Sequence, residues 1–139
     1  MDPSDSTVAR QIAEAASAFE RRRTGHAPRS VTVVLSEKTL VITLHGALSP
    51  AETALAQSPA GAAQVQEFHK ELFDNAADEL RQEIKRITGV EVRAATTEVE
   101  PVAGTVVQVF TTGTVVQVFL LAHSVPADSW NSGGRDDPS

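Results

Sequence analysis

The sequence contains no cysteine, so disulfide bonds and thiolate metal sites are excluded along its 139 residues. This absence is compatible with the reducing environment of the cytoplasm. The sequence also has no apolar run near the roughly 20 residues of a membrane-spanning helix. Its first residues lack the basic and then apolar order of a signal peptide. We therefore expect a soluble, cytoplasmic protein with no direct membrane span.

Positive charge and recognisable catalytic motifs are also scarce. The formal net charge of −6 argues against broad contact with nucleic acid. The phosphate-binding patterns GxGxxG and GxxxxGK[ST] are missing, and so is the GxSxG nucleophile elbow. The histidines share no spacing typical of metal ligands: His26, His45, His69 and His123. From these absences we expect no catalytic residues, no enzyme activity, no metal, no cofactor and no nucleic-acid partner.

The clearest positive feature is a long amphipathic segment between Ser58 and Gly89. Its apolar residues recur at every third or fourth position, which predicts one buried helix face. These residues are Val65, Phe68, Leu72, Ala76, Leu80, Ile84 and Ile87. Ser58 can cap the first turn, Pro59 suits the first helical position, and Gly89 can end the helix in a left-handed conformation. The pattern predicts a helix that ends at Thr88.

Weaker patterns surround this helix. A helical period and alternating β-branched residues predict a helix over 7–23, strands over 31–35, 40–45 and 90–99, and a short helix over 50–56. Ser49 and Glu52 have the spacing of a capping box at the start of the short helix.

A tandem copy follows near the end of the chain. Residues 104–112, GTVVQVFTT, are followed directly by residues 113–121, GTVVQVFLL, which differ only in the last two positions. The pattern predicts two adjacent strands joined near Thr112. We attribute the copy to a local duplication that lengthened the sheet, with a binding role as the alternative.

These elements predict one α+β domain. Their order, helix, hairpin, long helix, hairpin (αββαββ), is the ferredoxin-like order βαββαβ with its first strand moved to the end. We expect a four- or five-stranded, mainly antiparallel sheet with the helices on one face. The other face, with Val34, Val41 and Thr43, is too apolar for water alone, so we expect a homodimer. The composition predicts disorder over 1–6, a single domain over 7–124 and a disordered tail over 125–139.

One basic cluster stands out in this acidic chain. It consists of Arg21, Arg22, Arg23, Gly25, His26 and Arg29. Guanidinium groups beside a glycine-bearing loop could hold a phosphate or the carboxylates of a partner. Alternatively, the arginines only complement the negative end of the first helix and cover the edges of the core. The sequence leaves both interpretations open.

Three stretches resemble the MpsC-like domain family. They are residues 19–35 (FERRRTGHAPRSVTVVL), 46–56 (GALSPAETALA) and 84–92 (IKRITGVEV). Gly25 and Pro28 match the family's Gly-x-Gly-Pro loop, although Ala27 takes the place of its second glycine. Its Leu-x-x-x-Glu-x-x-Leu motif is matched by Leu48, Glu52 and Leu55. The resemblance extends from residue 8 to residue 122, and Thr88-Gly89 matches the family's pattern at the end of the long helix.

The resemblance implies a soluble component of a sodium-translocating system that generates membrane potential, and it brings no catalytic residue with it. We therefore expect a non-enzymatic interaction or accessory module that has no membrane span of its own and binds a protein partner in a membrane-associated system. The alternative is a sensor that binds an anionic small molecule or nucleotide at the loop between Arg21 and Arg29.

Overall fold

A computed structural model describes residues 3–36 and 38–111, with side chains described from residue 7 onward. Its elements are α1 (Pro3–Thr24), β1 (Ser30–Ser36), β2 (Thr39–His45), α2 (Pro50–Leu55), α3 (Pro59–Thr88), β3 (Ala94–Glu100) and β4 (Thr105–Thr111). The second tandem copy, His123, the boundary expected at residue 124 and the tail lie outside the described residues.

The strands form one four-stranded antiparallel sheet in the order β1-β2-β4-β3. The predicted α+β class and element order are confirmed. The segment from β2 through α3 leads to β3, and β4 then fills the position between β2 and β3. The α1 helix begins at Pro3, four residues before the predicted start at Thr7. No helix within residues 3–36 and 38–111 is long and apolar enough to cross a membrane.

The first tandem copy forms the central strand β4. Val109 is paired with Val41 of β2 on one side and with Thr96 of β3 on the other. A strand has only two hydrogen-bonding edges, and both edges of β4 are occupied. The second copy lies outside the described residues, so the predicted pairing of the two copies stays a prediction.

Local chemistry sets both ends of α3 as predicted. The Ser58 side chain accepts a hydrogen bond from the Gly61 amide over 3.0 Å, and Pro59 occupies the first turn. At the other end Gly89 has φ of 77°, and its amide donates to the Lys85 carbonyl. The capping box of α2 is likewise present, with Ser49 and Glu52 bonded reciprocally.

The core lies between one face of the sheet and the helices α1 and α3. It is built from Ile12, Ala16, Phe19, Leu40, Ile42, Leu44, Ala47, Phe73, Ala76, Leu80, Ile84, Val106 and Phe110. Across it, the rings of Phe73 and Phe110 lie 5.9 Å apart.

The buried face of α3 is correct at Val65 but differs from the prediction at the next turn. Phe68, predicted to be buried, is 47% exposed, whereas His69 and Phe73 are buried. Beyond them the predicted face is correct at Ala76 and Leu80. The difference has a physical reason, because His69 faces two carboxylates that have little access to water.

Candidate functional site

The basic cluster predicted from the sequence is divided between two places. Arg22 and Arg23 both contact the carboxylate of Glu79 on α3, Arg22 through Nη2 at 3.2 Å. The Arg23 guanidinium also lies over the ring of Phe19, 5.5 Å from its centre. These two arginines therefore already have an anionic partner within the chain.

The loop after α1 turns at a glycine, as its sequence indicates. Gly25 has φ of +79°, a conformation that other residues rarely adopt, and its amide donates to the Arg21 carbonyl over 2.9 Å. The His26 amide then donates to Thr24 Oγ1, and His26 Nε2 donates to the Gly46 carbonyl over 3.2 Å. The loop is thus fixed against the end of β2.

His26 and Arg29 line an open groove of about 380 Å³. Its other walls come from the loop after α1, from the segment after β2, from α2 and from the turn between β3 and β4: Ala27, Gly46, Leu48, Thr53, Val102, Ala103 and Gly104. Arg29 makes no ion pair with any side chain in the described part of the protein. Of the six predicted residues, the structure therefore brings His26 and Arg29 together and places Arg22 and Arg23 elsewhere.

The turn that forms the far wall of this groove is itself ordered by hydrogen bonds. The Glu100 carboxylate accepts from the amides of Val102 and Ala103, over 3.3 and 3.2 Å. The Ala47 amide donates to the Gly104 carbonyl over 2.9 Å, which joins the two walls. The groove is consequently built on a braced backbone.

The structure contains a second cluster that was not predicted from the sequence, and we call it the triad: Glu20 of α1, Glu52 of α2 and His69 of α3. His69 Nε2 donates to Glu52 Oε2 over 2.9 Å, and His69 Nδ1 lies 3.7 Å from Glu20 Oε2. Glu20 and His69 are each 4% exposed, and the Glu52 side chain is 18% exposed. One imidazole thus stands between two carboxyl groups.

The triad contains two carboxyl groups but only one imidazole to pair with them. Glu20 Oε2 is buried and has no hydrogen-bond partner in the described structure. Burial, followed by the nearby charge of Glu52, raises the pKa of Glu20 to about 7. The Gln108 Oε1 atom of β4 is also buried and unpaired, and both residues line a small cavity of about 10 Å³. That space is comparable to the room that a single water molecule needs.

A sequence signal for the triad exists, although it is weak. Glu20 follows the buried Ala16 by four residues, and His69 follows the buried Val65 by four residues. Each polar residue therefore falls on the inner face of its helix. No group of histidine, aspartate and glutamate side chains in residues 7–36 and 38–111 has the arrangement of a metal site.

The fold and these clusters define a small α+β protein whose α2 segment bridges a basic groove and a buried acid–histidine triad. Residues 4–114 match the family described as Na+-translocating membrane potential-generating system (MpsC). This match covers most of the chain, so the chain belongs to the MpsC family, which confirms the resemblance seen in the sequence.

One curated protein also matches the chain. The chain is 26% identical over 110 residues to the uncharacterized protein YbcI of Bacillus subtilis (strain 168). The alignment covers 79% of this chain and 89% of that protein. No solved structure matches the chain.

Proposed function

We propose that this chain is a non-enzymatic cytoplasmic accessory module that supports or regulates a cation-translocating membrane system by binding one of its proteins. The observation that carries the proposal is the family match over residues 4–114, because the family is described as a Na+-translocating membrane potential-generating system. The match itself names a system and assigns no chemistry to any residue.

The groove beside His26 and Arg29 is the contact surface that we favour. An unpaired guanidinium can bind a carboxylate through two parallel hydrogen bonds. Leu48 and Val102 add apolar walls beside it, and Val102 is largely exposed. This combination suits an acidic segment of a partner that also carries an apolar side chain.

The test is a measurement of Na+-dependent membrane potential in vesicles. Vesicles prepared from cells that lack this protein are supplemented with the purified chain, and a potential-sensitive dye follows the response to Na+. We expect the wild-type chain to restore the response and Arg29→Gln to fail. The matched control is Arg22→Gln, because Arg22 is an exposed arginine paired within the chain. A wild-type chain without effect would contradict the proposal.

A second candidate function is a sensor of an anionic small molecule or nucleotide. The free Arg29 guanidinium and the groove of about 380 Å³ favour it, since this volume lies in the range of small-molecule sites. A thermal-shift screen with nucleotides and phosphorylated metabolites tests it. A ligand at 100-fold excess over its Kd should add about 2.7 kcal/mol of stability. Arg29→Gln should remove that gain, and Arg22→Gln should retain it.

We also propose that the protein is a homodimer that uses the sheet face opposite the helices. Val34 of the edge strand β1 is more than half exposed on that face, where it is paired with Val41. Analytical ultracentrifugation should give twice the chain mass for the wild type and the single-chain mass for Val34→Glu. Thr32→Glu, which places the same charge on the same strand, shows whether the effect is specific to the apolar position.

A further inference from the structure

The helix α2 is attached to the protein through very few contacts. None of its own residues, Pro50–Leu55, is buried. Leu48 and Ala56, which flank it, are buried in a small cluster with Val65. Within α2 the polar contact to the body is the 2.9 Å hydrogen bond between Glu52 and His69. The position of α2 therefore depends strongly on the state of the triad.

We propose that the triad is a proton-operated latch: it holds α2 against α3, and loss of the proton from Glu20 releases α2 and reshapes the groove lined by Thr53 and Leu48. The regulatory consequence rests on the proposed function, because it assumes that the groove is the contact surface. The latch itself does not depend on any partner.

The direction of the response follows from the arrangement of the charges. Protonated Glu20 is neutral, so Glu52 is the only carboxylate that His69 must satisfy. When Glu20 ionises, its buried Oε2 has no hydrogen-bond donor, and a second negative charge lies near Glu52. Glu52 is the more exposed of the two and belongs to the less buried helix, so it is the group that can leave for water.

The other groups around Glu20 do not cancel this effect. Arg23, also on α1, lines the same cavity, but its guanidinium is paired with Glu79. The sheet contributes neutral side chains to the lining of this cavity: Thr97 from β3, and Val106 and Gln108 from β4. Ionised Glu20 therefore depends on His69 and on any water admitted when α2 leaves.

The raised pKa of Glu20 sets the size of the response. If Glu20 regains its ordinary pKa of 4.5 when α2 leaves, opening should become about tenfold more favourable between pH 6 and pH 8. Opening becomes still more favourable above the folded pKa of about 7, until Glu20 is fully ionised in the closed form as well.

A chain without cysteine allows a direct test by thiol labelling. Ala56→Cys places a thiol at a site that is 5% exposed and sits against the body only while α2 is docked. Ala54→Cys gives an exposed thiol on the same helix, which corrects for the effect of pH on thiolate formation. Ellman's reagent reports both rates. We expect the ratio of the Ala56→Cys rate to the Ala54→Cys rate to rise about tenfold from pH 6 to pH 8.

Three variants make the result decisive. Glu20→Gln should remove the pH response of the ratio, and His69→Gln should give fast Ala56→Cys labelling at both pH values. Ala76→Cys, buried in the core on α3, reports opening of the whole protein and should stay unreactive. A ratio that does not change with pH, or an equal response at Ala76→Cys, would overturn the latch. No partner is present in this assay, so that result would leave the proposed function standing.

Discussion

Replacement of Glu20 by glutamine should make the protein more stable at alkaline pH. Glutamine keeps the size and hydrogen-bonding capacity of the protonated side chain but carries no ionisable group. At pH 5 the wild-type Glu20 is protonated in the folded state, so the two proteins should be similar in stability. At pH 8 the wild type must hold a buried, unpaired carboxylate and the variant must not.

The magnitude follows from the pKa of Glu20, which is 4.5 ordinarily and about 7 in the folded protein. The pKa of Glu20 is higher in the folded state than in the unfolded state. Its stabilising contribution is therefore fully present below pH 4.5 and is lost as the pH rises through about 7. For this carboxyl alone the loss between pH 5 and pH 8 is about 2.5 kcal/mol. The melting temperature of the wild type, measured relative to that of Glu20→Gln, should therefore fall by roughly 8 °C between pH 5 and pH 8 in a domain of this size.

Thermal unfolding followed by circular dichroism at constant ionic strength, between pH 5 and pH 8, measures this difference. The matched control is Glu14→Gln, an exposed glutamate on the same helix, whose curve should run parallel to that of the wild type. If the melting temperatures of Glu20→Gln and the wild type changed in parallel with pH, ionisation of Glu20 would have no cost to the folded state, which would refute this prediction.

Two further predictions concern the packing of α3. Gly61→Ala should lower the stability measured by urea unfolding, because the alanine Cβ would lie 1.8 Å from the Leu55 carbonyl oxygen. Alanine ordinarily stabilises a helix by about 1 kcal/mol relative to glycine, so a gain in stability would contradict this close approach. Phe73→Ala should cost about 3–5 kcal/mol and Phe68→Ala less than half as much, and equal losses would mean that the buried face of α3 has been misassigned.

The ends of the helices could be predicted because they depend on neighbouring residues alone. Ser58 and Pro59 start α3, and Gly89 ends it, by interactions that span four residues or fewer. The strands β1 and β2 were predicted equally well, since alternation along one segment decides which side chains face the core, whereas β3 begins at Ala94, four residues after its predicted start. The element order then restricted the topology to a sheet with the helices on one face.

The position of β4 and the triad depend on residues far apart in the chain. The strand β4 pairs on both edges because it lies between β2 and β3, two strands that are separated in the sequence by α3. No local sequence pattern predicts this position. Hydrophobicity alone favours burial of Phe68 over His69, because it takes no account of the side chains that α1 and α2 place against this part of α3. With Glu20 and Glu52 facing that position, a buried phenylalanine would remove the hydrogen bond to Glu52 Oε2 and would leave Glu20 beside an apolar ring.

The central position of β4 also bears on how the protein avoids aggregation. The strand sequence TVVQVF is uncharged, rich in β-branched residues and free of proline, which are the properties of segments that assemble into fibrils. In the folded chain both of its edges are paired, and Val106 through Thr111 are buried. This first copy of the segment is therefore exposed to other chains only while the sheet is open, so the rate of unfolding decides how often it can start aggregation.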